Sequence, residues 1–305
     1  MICPISYKET TSGYYSVEGL HKLSSKLDAL EVFSLSAEEQ LTQIERSFDR
    51  YCIPGSQPKL LARLNLRHAR FDVVDCDGNY IIKPQQIFYP ELPENENVTM
   101  KMAERAGVSV PLNGLLRCCD GSWSYFVKRY DRATNNRRIP AEKIYYLLGM
   151  RTESKYDADI KTVARALDTF CTFPLVEKLK LLRVTIFNFL VGNDDMHLKD
   201  FVLLRNGNKI ELAPFCGLLN STLQYQSNND TALAVNGKRT HLNRDDFMSM
   251  GCFELGLNEK IVNKEISSLC ALKDECEYIL SCCFLSDYAK NVYYSIMNKR
   301  YDILK

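Results

Sequence analysis

The segment Val191 to Phe201, V-G-N-D-D-M-H-L-K-D-F, constrains this chain more than any other. It follows an apolar run with helical spacing, Leu179 to Leu190, and precedes an apolar run, Phe201 to Arg205, that reads as a strand. A plain surface turn between two such elements is made of Gly, Ser and Asn. Here two Asp, a His and a Lys stand between elements that must both be buried. Either this is a solvated charged turn, or the fold exists to present ionisable groups at the end of a buried helix.

The rest of the composition narrows the choice. A chain of 305 residues with 46% hydrophobic and 25% charged residues can form one large domain or two lobes. A formal net charge of +1 argues against a protein that coats nucleic acid, although a local basic patch remains open. The 12 cysteines have no regular spacing and form no C-x-x-C, so neither a zinc pattern nor a disulfide framework is present. No signal peptide is visible at Met1-Ile2-Cys3-Pro4, and no apolar run reaches transmembrane length. These features predict reduced thiols, a cytoplasmic location and no membrane contact.

The chain begins with two helical patterns, Ser16 to Leu30 and Ser36 to about Arg50, the second opened by an N-cap and an acidic first turn. Cys52-Ile-Pro-Gly-Ser-Gln-Pro-Lys59 follows, ahead of the apolar run Leu60 to Leu64. A small-residue loop before a strand can lie over phosphates, because Gly55 lets backbone N–H groups approach. The same sequence also suits an ordinary turn. Ala69 to Val74 and Asn79 to Lys83 read as two strands of a hairpin through Asp75-Cys-Asp-Gly78. Lys83 ends the second, either as a phosphate ligand or as an edge-strand lysine. Glu91-Leu-Pro-Glu-Asn-Glu96 opens a helix to about Ala106, so that Glu94 or Glu96 can pair with Lys83 or simply complement the helix N-terminus.

Val108 to Leu116 and Trp123 to Tyr130 read as two more strands, turning at Asp120-Gly121. The end of the second, Tyr125-Phe-Val-Lys-Arg-Tyr-Asp131, is a candidate hinge whose backbone reads an adenine edge; core packing is the competing role for Trp123 and Phe126. From Pro140 the pattern turns helical at Ala141 to Leu148, Asp157 to Cys171 and Pro174 to Leu190. Strands first and helices later predict two differently built lobes with a cleft between them. A hairpin follows the central loop, Phe201 to Leu212 with Asn206-Gly207 at its turn, and leads into Ala213-Pro-Phe-Cys-Gly217. Asp245 to Met250, Asn258 to Ser268 and Cys270 to Asn298 are predicted helices.

The spacing inside the central loop matches phosphoryl-transfer chemistry, where a catalytic Asp is followed five residues later by a metal-binding Asn. Asp195 fits the first role, and Asp200 holds the second position with a different oxygen ligand. Lys199 can neutralise a transferring phosphoryl group.

Taken together, these segments resemble the HipA-type bacterial toxin kinases, especially the short HipT form. The resemblance rests on Cys52-Ile-Pro-Gly-Ser-Gln-Pro-Lys-Leu, Tyr80-Ile-Ile-Lys-Pro, Glu91-Leu-Pro-Glu-Asn-Glu, Asp120-Gly-Ser-Trp and Arg129-Tyr-Asp-Arg. It extends through Tyr156-Asp, Cys171-Thr-Phe-Pro, Phe187 to Lys199, Leu212-Ala-Pro-Phe and Leu218-Leu-Asn, and so covers nearly the whole chain. It implies an α+β, two-lobed protein-kinase-like fold related to phosphoinositide kinases. Residues 1–132 would form a β-rich nucleotide-binding lobe, and residues 133–305 a mostly helical catalytic lobe. It implies ATP- and Mg²⁺-dependent phosphorylation of a serine of an aminoacyl-tRNA synthetase, which arrests translation. The implied partners are a HipB-type helix-turn-helix antitoxin, through which any nucleic acid is met, and a small HipS-like protein. Mapped onto this sequence, Asp195, His197 and Lys199 carry the D-x-H-x-K catalytic pattern. Gly55, Ser56, Gln57, Lys59, Lys83, Phe126 and Lys128 form the nucleotide site, and Asp200 and Gly217 occupy the metal-ligand positions.

Three positions depart from the family pattern. Cys52 replaces the loop serine that such kinases autophosphorylate, Asp200 replaces an Asn, and Gly217 replaces the second metal-binding Asp and offers no ligand. Losing that carboxylate predicts weaker metal–nucleotide binding and a slower reaction. The alternative is therefore a crippled kinase or a pseudokinase that serves as a nucleotide- or antitoxin-binding module. A metal hydrolase built on Asp194, Asp195 and His197 would need more converging ligands than the sequence offers.

Overall fold

The structure is a computed structural model that describes residues 1–10, 13–46, 57–133, 136–150, 156–225 and 227–305. Its N-terminal part is built around five antiparallel strands, β1 (Leu60–Asn65), β2 (Arg70–Val73), β3 (Tyr80–Lys83), β4 (Asn113–Arg117) and β5 (Trp123–Lys128). Their order is β2-β1-β3-β5-β4. The expected β2–β3 hairpin is not formed, because β1 lies between the two and pairs with both. The Asp75–Gly78 turn carries the chain over β1. It passes so closely that a Cβ on Gly78 would stand 2.4 Å from the Leu61 side chain and 2.8 Å from the Ala62 carbonyl. The β4–β5 hairpin forms as expected, with Gly121 at φ +84°.

Alternation along the strands assigns the two faces of this sheet. Tyr80, Ile82 and Phe126 face outward into an apolar layer closed by α1 (Val17–Leu23) and the residues after it, including Leu20, Leu27 and Phe33. Helix α1 is shorter than its apolar spacing predicts and is capped by the Ser16 hydroxyl, which accepts from Gly19 N–H at 3.1 Å. Helix α2 (Ala37–Arg46) opens with Ser36 and Glu39 exchanging backbone and side-chain hydrogen bonds. Ile81, Tyr125 and Val127 face the other way, into the main core.

Helix α3 (Leu92–Arg105) packs on that inner face, and its residues from Leu92 to Ala103 are all buried. Polar bonds tie it to the C-terminal half. Asn95 and Asn220 exchange two hydrogen bonds of 2.9 Å, Thr99 meets the Tyr293 hydroxyl at 2.9 Å, and Ser286 N–H donates to Glu91 at 2.7 Å. Glu94, in its first turn, is 6% exposed and accepts from the Gln85 amide at 2.6 Å. Burial pushes its carboxyl up to about 7 from an ordinary 4.5. The folded state therefore holds a proton that the unfolded state loses earlier. This contribution, worth about 3 kcal/mol, is complete below pH 4.5 and is lost as pH rises through about 7. Chemical denaturation of Glu94→Gln across pH 4–8 should show that part of the pH dependence removed and higher stability at pH 8; an unchanged profile would refute this account.

The C-terminal half holds a small sheet, β6 (Ala141–Lys143), β7 (Val202–Asn206) and β8 (Lys209–Leu212), in the order β6-β7-β8. The segment 141–148 is thus a strand followed by a single turn, α4 (Ile144–Leu147), and not one helix, because Ala141, Glu142 and Lys143 pair with β7. The β7–β8 hairpin turns at Gly207, φ +61°. Helix α5 (Ile160–Phe170) starts at Asp159, whose carboxylate accepts from Thr162 N–H. Helix α6 (Pro174–Val191) runs through the core against α5, α9 (Glu259–Cys270) and α11 (Asp287–Leu304). Short helices α7 (Ser221–Gln224) and α8 (Arg244–Ser249), with α10 (Lys273–Cys282), complete the layer. The run from Cys270 to Asn298 is broken between α10 and α11, where Ser286 caps the latter. No helix among the described residues is long and apolar enough to cross a membrane, and the described cysteines are all free.

Candidate active site

Helix α6 ends at Gly192, which adopts φ +77°. A side chain there would stand 2.8 Å from Ile296 and 3.1 Å from the Asn220 side-chain oxygen, so the left-handed turn and the close packing both require glycine. The next residues are fixed by their own side chains. Asn193 donates to Asn188 at 3.0 Å and accepts from Asp195 N–H at 3.2 Å. Asp194 is buried; its backbone N–H donates to Ser221 Oγ at 2.7 Å, and its carboxylate accepts from Ser221 and from the Tyr225 hydroxyl, the latter at 3.2 Å.

Asp195 emerges from this anchored loop into the open, where its Oδ1 accepts from the Tyr156 hydroxyl at 2.6 Å. The wholly buried Leu198 pins the following 3-10 turn, Leu198–Asp200. His197 N–H donates to Asp200 Oδ2 at 2.9 Å, and its ring Nδ1 lies 2.7 Å from the same oxygen, close enough for an ion contact but off the line of a hydrogen bond. Lys199 places its Nζ 5.1 Å from the centre of the Tyr145 ring.

On the sheet side, Lys83 shares a register position with Tyr125 and donates to Glu96 Oε1 at 2.6 Å. Of the two acids that spacing offered as its partner, Glu96 is the one bonded; it is 1% exposed. Lys59, at the entry to β1, is half-buried, and burial together with the Lys83 charge pushes its ammonium down to about 8, against the opposing pull of Glu96. Gln57 precedes it, also half-buried. Gly217 adopts φ +75°, and a Cβ built on it would lie 3.9 Å from Lys83 Nζ with nothing else within 4 Å. The neighbouring Cys216 opens on the same space. Desolvation pushes its thiol up to about 11, with Glu96 and Asp200 acting in the same direction and Lys83 and Lys59 against it. The charges of Lys59, Lys83, Glu96 and Asp200 thus all act on one point beside Gly217.

Two residues of the expected nucleotide site are elsewhere. Phe126 is fully buried on the outer face of the sheet against Phe71 and Tyr80, because alternation puts it opposite to Tyr125 and Lys83. Lys128 shares that outward parity and lines a separate cavity of about 370 Å³ with Arg129, Lys180 and Leu204; none of Lys59, Lys83, Asp195 or Gly217 reaches it. Gly55, Ser56 and Cys52 lie outside the described residues. Tyr225 gave no signal in the sequence beyond its residue type, and Tyr156 stood in the Tyr156-Asp motif without a role of its own. Tyr130, inside the Arg129-Tyr-Asp-Arg motif, lines the separate cavity with Lys128. Burial pushes the Tyr130 phenol above its ordinary range, and the Cys216 and Asp200 charges add to the effect. Among the described residues no three His, Cys, Asp or Glu side chains converge as a cation cage.

Comparisons with known proteins bear on the family and the fold. A Haemophilus influenzae protein named "Putative kinase" is 28% identical, covering 93% of this chain and 90% of its own length. "Putative kinase Y4mE" of Sinorhizobium fredii is 31% identical over 72% of this chain and 54% of its own. The serine/threonine-protein kinase toxin HipA of Shewanella oneidensis is 25% identical over 61% of this chain, which spans 47% of that protein. The solved Shewanella oneidensis complex of HipA, HipB and operator DNA superposes with a TM-score of 0.69 at 18% identity, covering 90% of this chain and 72% of the solved one. The Helicobacter pylori proinflammatory kinase CtkA gives 0.54 at 17% identity over 73% of this chain and 86% of its own. The fold is therefore the expected α+β kinase-like one, with a curled antiparallel sheet joined to a helical region. The sequence pattern described as the HipA-like C-terminal domain matches residues 51–275, so the chain belongs to that family.

Proposed function

We propose that this chain is a serine/threonine-protein kinase toxin of the short HipT kind, transferring the γ-phosphate of ATP to a serine of an aminoacyl-tRNA synthetase. The observation that carries the reading is the Lys83–Glu96 ion pair at 2.6 Å, set beside Gly217 in a space on which the Asp200 charge also acts. A buried carboxylate that holds a strand lysine in place is how kinases aim that lysine at the nucleotide phosphates. Lys59 adds a second cation to the same space. Asp195, exposed at its loop, would accept the proton of the acceptor hydroxyl as oxygen attacks phosphorus and the bond to ADP breaks. Asp200, 40% exposed, fits a magnesium ion as a single protein carboxylate, since that ion takes one or two such ligands with phosphate oxygens. Bound there, the metal would neutralise charge on the phosphates.

The partners proposed are a HipB-type antitoxin, by analogy with the Shewanella complex, and a small HipS-like protein. Incubating the purified chain with γ-labelled ATP and a panel of aminoacyl-tRNA synthetases, with Mg²⁺ and then Mn²⁺, tests the proposal; label on one synthetase supports it, and none with either metal sinks it. A second reading draws on Gly217 itself: a pseudokinase that binds nucleotide or antitoxin without transfer. Intact ATP binding with no transfer would favour it.

Lys83→Ala should weaken ATP binding about ten- to a hundredfold, the usual worth of a charge-assisted contact. Because the single change strands a buried Glu96, the double variant Lys83→Ala/Glu96→Gln controls for folding. Calorimetric titrations giving equal affinities in all three proteins would remove Lys83 from the site.

A further inference from the structure

We propose that Tyr156 is a positioning residue that holds Asp195 and His197 in one frame, an inference that rests on the phosphotransfer reading above. The exposed Asp195 carboxylate has its backbone tethered by Asn193, but among the described residues its side chain receives a single hydrogen bond, the one from Tyr156 at 2.6 Å. A carboxylate without such a tie samples several rotamers. Displacements of about 1 Å at a reacting group can cost about a hundredfold in rate. The tyrosine occupies one oxygen, Oδ1, and leaves the other for an acceptor hydroxyl.

Tyr156 is itself fixed at two further points. Its ring meets the His197 ring edge-on, with centroids 5.1 Å apart and planes at 70°. Its carbonyl accepts from the Arg239 guanidinium. His197 in turn touches Asp200. One side chain therefore links the proposed base to the carboxylate at the metal position. Burial, the hydrogen bond to Asp195 and that carboxylate's charge push the phenol above its ordinary range, so it stays a donor. The neighbouring Tyr225 does not duplicate the role, because its hydroxyl is spent on Asp194.

The test compares wild type, Tyr156→Phe, Tyr156→Leu and Asp195→Asn. The Phe form keeps the ring and should lose about ten- to a hundredfold in kcat with KM for ATP and melting temperature unchanged. The Leu form also frees His197 and should fall further. A crystal structure of Tyr156→Phe should show the Asp195 carboxylate displaced on an unchanged loop backbone. A kcat within twofold of wild type, or a carboxylate that has not moved, overturns the inference. So does phosphate found on Tyr156 by mass spectrometry, which would make it an acceptor. If wild type transfers nothing, or Asp195→Asn transfers as well as wild type, the phosphotransfer reading falls, and the crystallographic comparison still decides the role of Tyr156.

Discussion

Asp195→Asn should remove phosphoryl transfer, by about a hundred- to ten-thousandfold, while leaving ATP affinity and the melting curve in place. The amide is nearly isosteric with the carboxylate, and its oxygen can still accept from Tyr156, so the geometry around Asn193 and the Leu198 turn has no reason to change. What disappears is the capacity to take a proton. Single-turnover transfer with saturating ATP isolates that step from binding. Transfer at the wild-type rate would mean that the acceptor does not approach this loop.

Gly217→Asp should work in the opposite direction. The site is open: a Cβ there meets only Lys83 Nζ, at 3.9 Å. The added carboxylate would stand beside the Lys83–Glu96 pair, at the position proposed for the second metal ligand. Removing one preorganised electrostatic partner from an active site typically costs about a hundred- to a thousandfold, and restoring one should recover a gain of that order. The φ of +75° costs an L-residue about 1 kcal/mol, and Asp is among the side chains that tolerate it best. Turnover, protein phosphorylation and growth arrest should rise for Asp and stay flat for Gly217→Asn and Gly217→Ala. If the starting protein already matches the Asp form, the missing ligand is not limiting and the pseudokinase reading fails with it.

The elements that the sequence made legible are those with a local cause. Helix α6 and the two hairpins at Gly121 and Gly207 follow from spacing and from glycines that must reach positive φ. The choice of Glu96 over Glu94 was open, because both precede the same helix and only its rotation on the sheet decides which faces Lys83. The β2–β3 hairpin failed for a related reason: Asp77-Gly78 signals a reversal but says nothing about a third strand, β1, inserting between the two. Strand parity turns the Phe126 and Lys128 side chains away from Lys83, which a motif does not show until the register is known, and Phe126 takes the core role that competed with the hinge reading. Tyr225 reaches the site through long-range packing and looked like any other tyrosine, and Tyr156 stood in a quoted motif that gave it no role.

The ties that fasten α3 to the C-terminal half have a consequence for control. Many kinases go silent by swinging the equivalent helix outward and parting its glutamate from the lysine. That movement here would strand Asn95, Asn220, Thr99 and Tyr293, each buried and each costing about 1–3 kcal/mol when left unbonded. Parting Glu96 from Lys83 by that movement would first have to break these bonds.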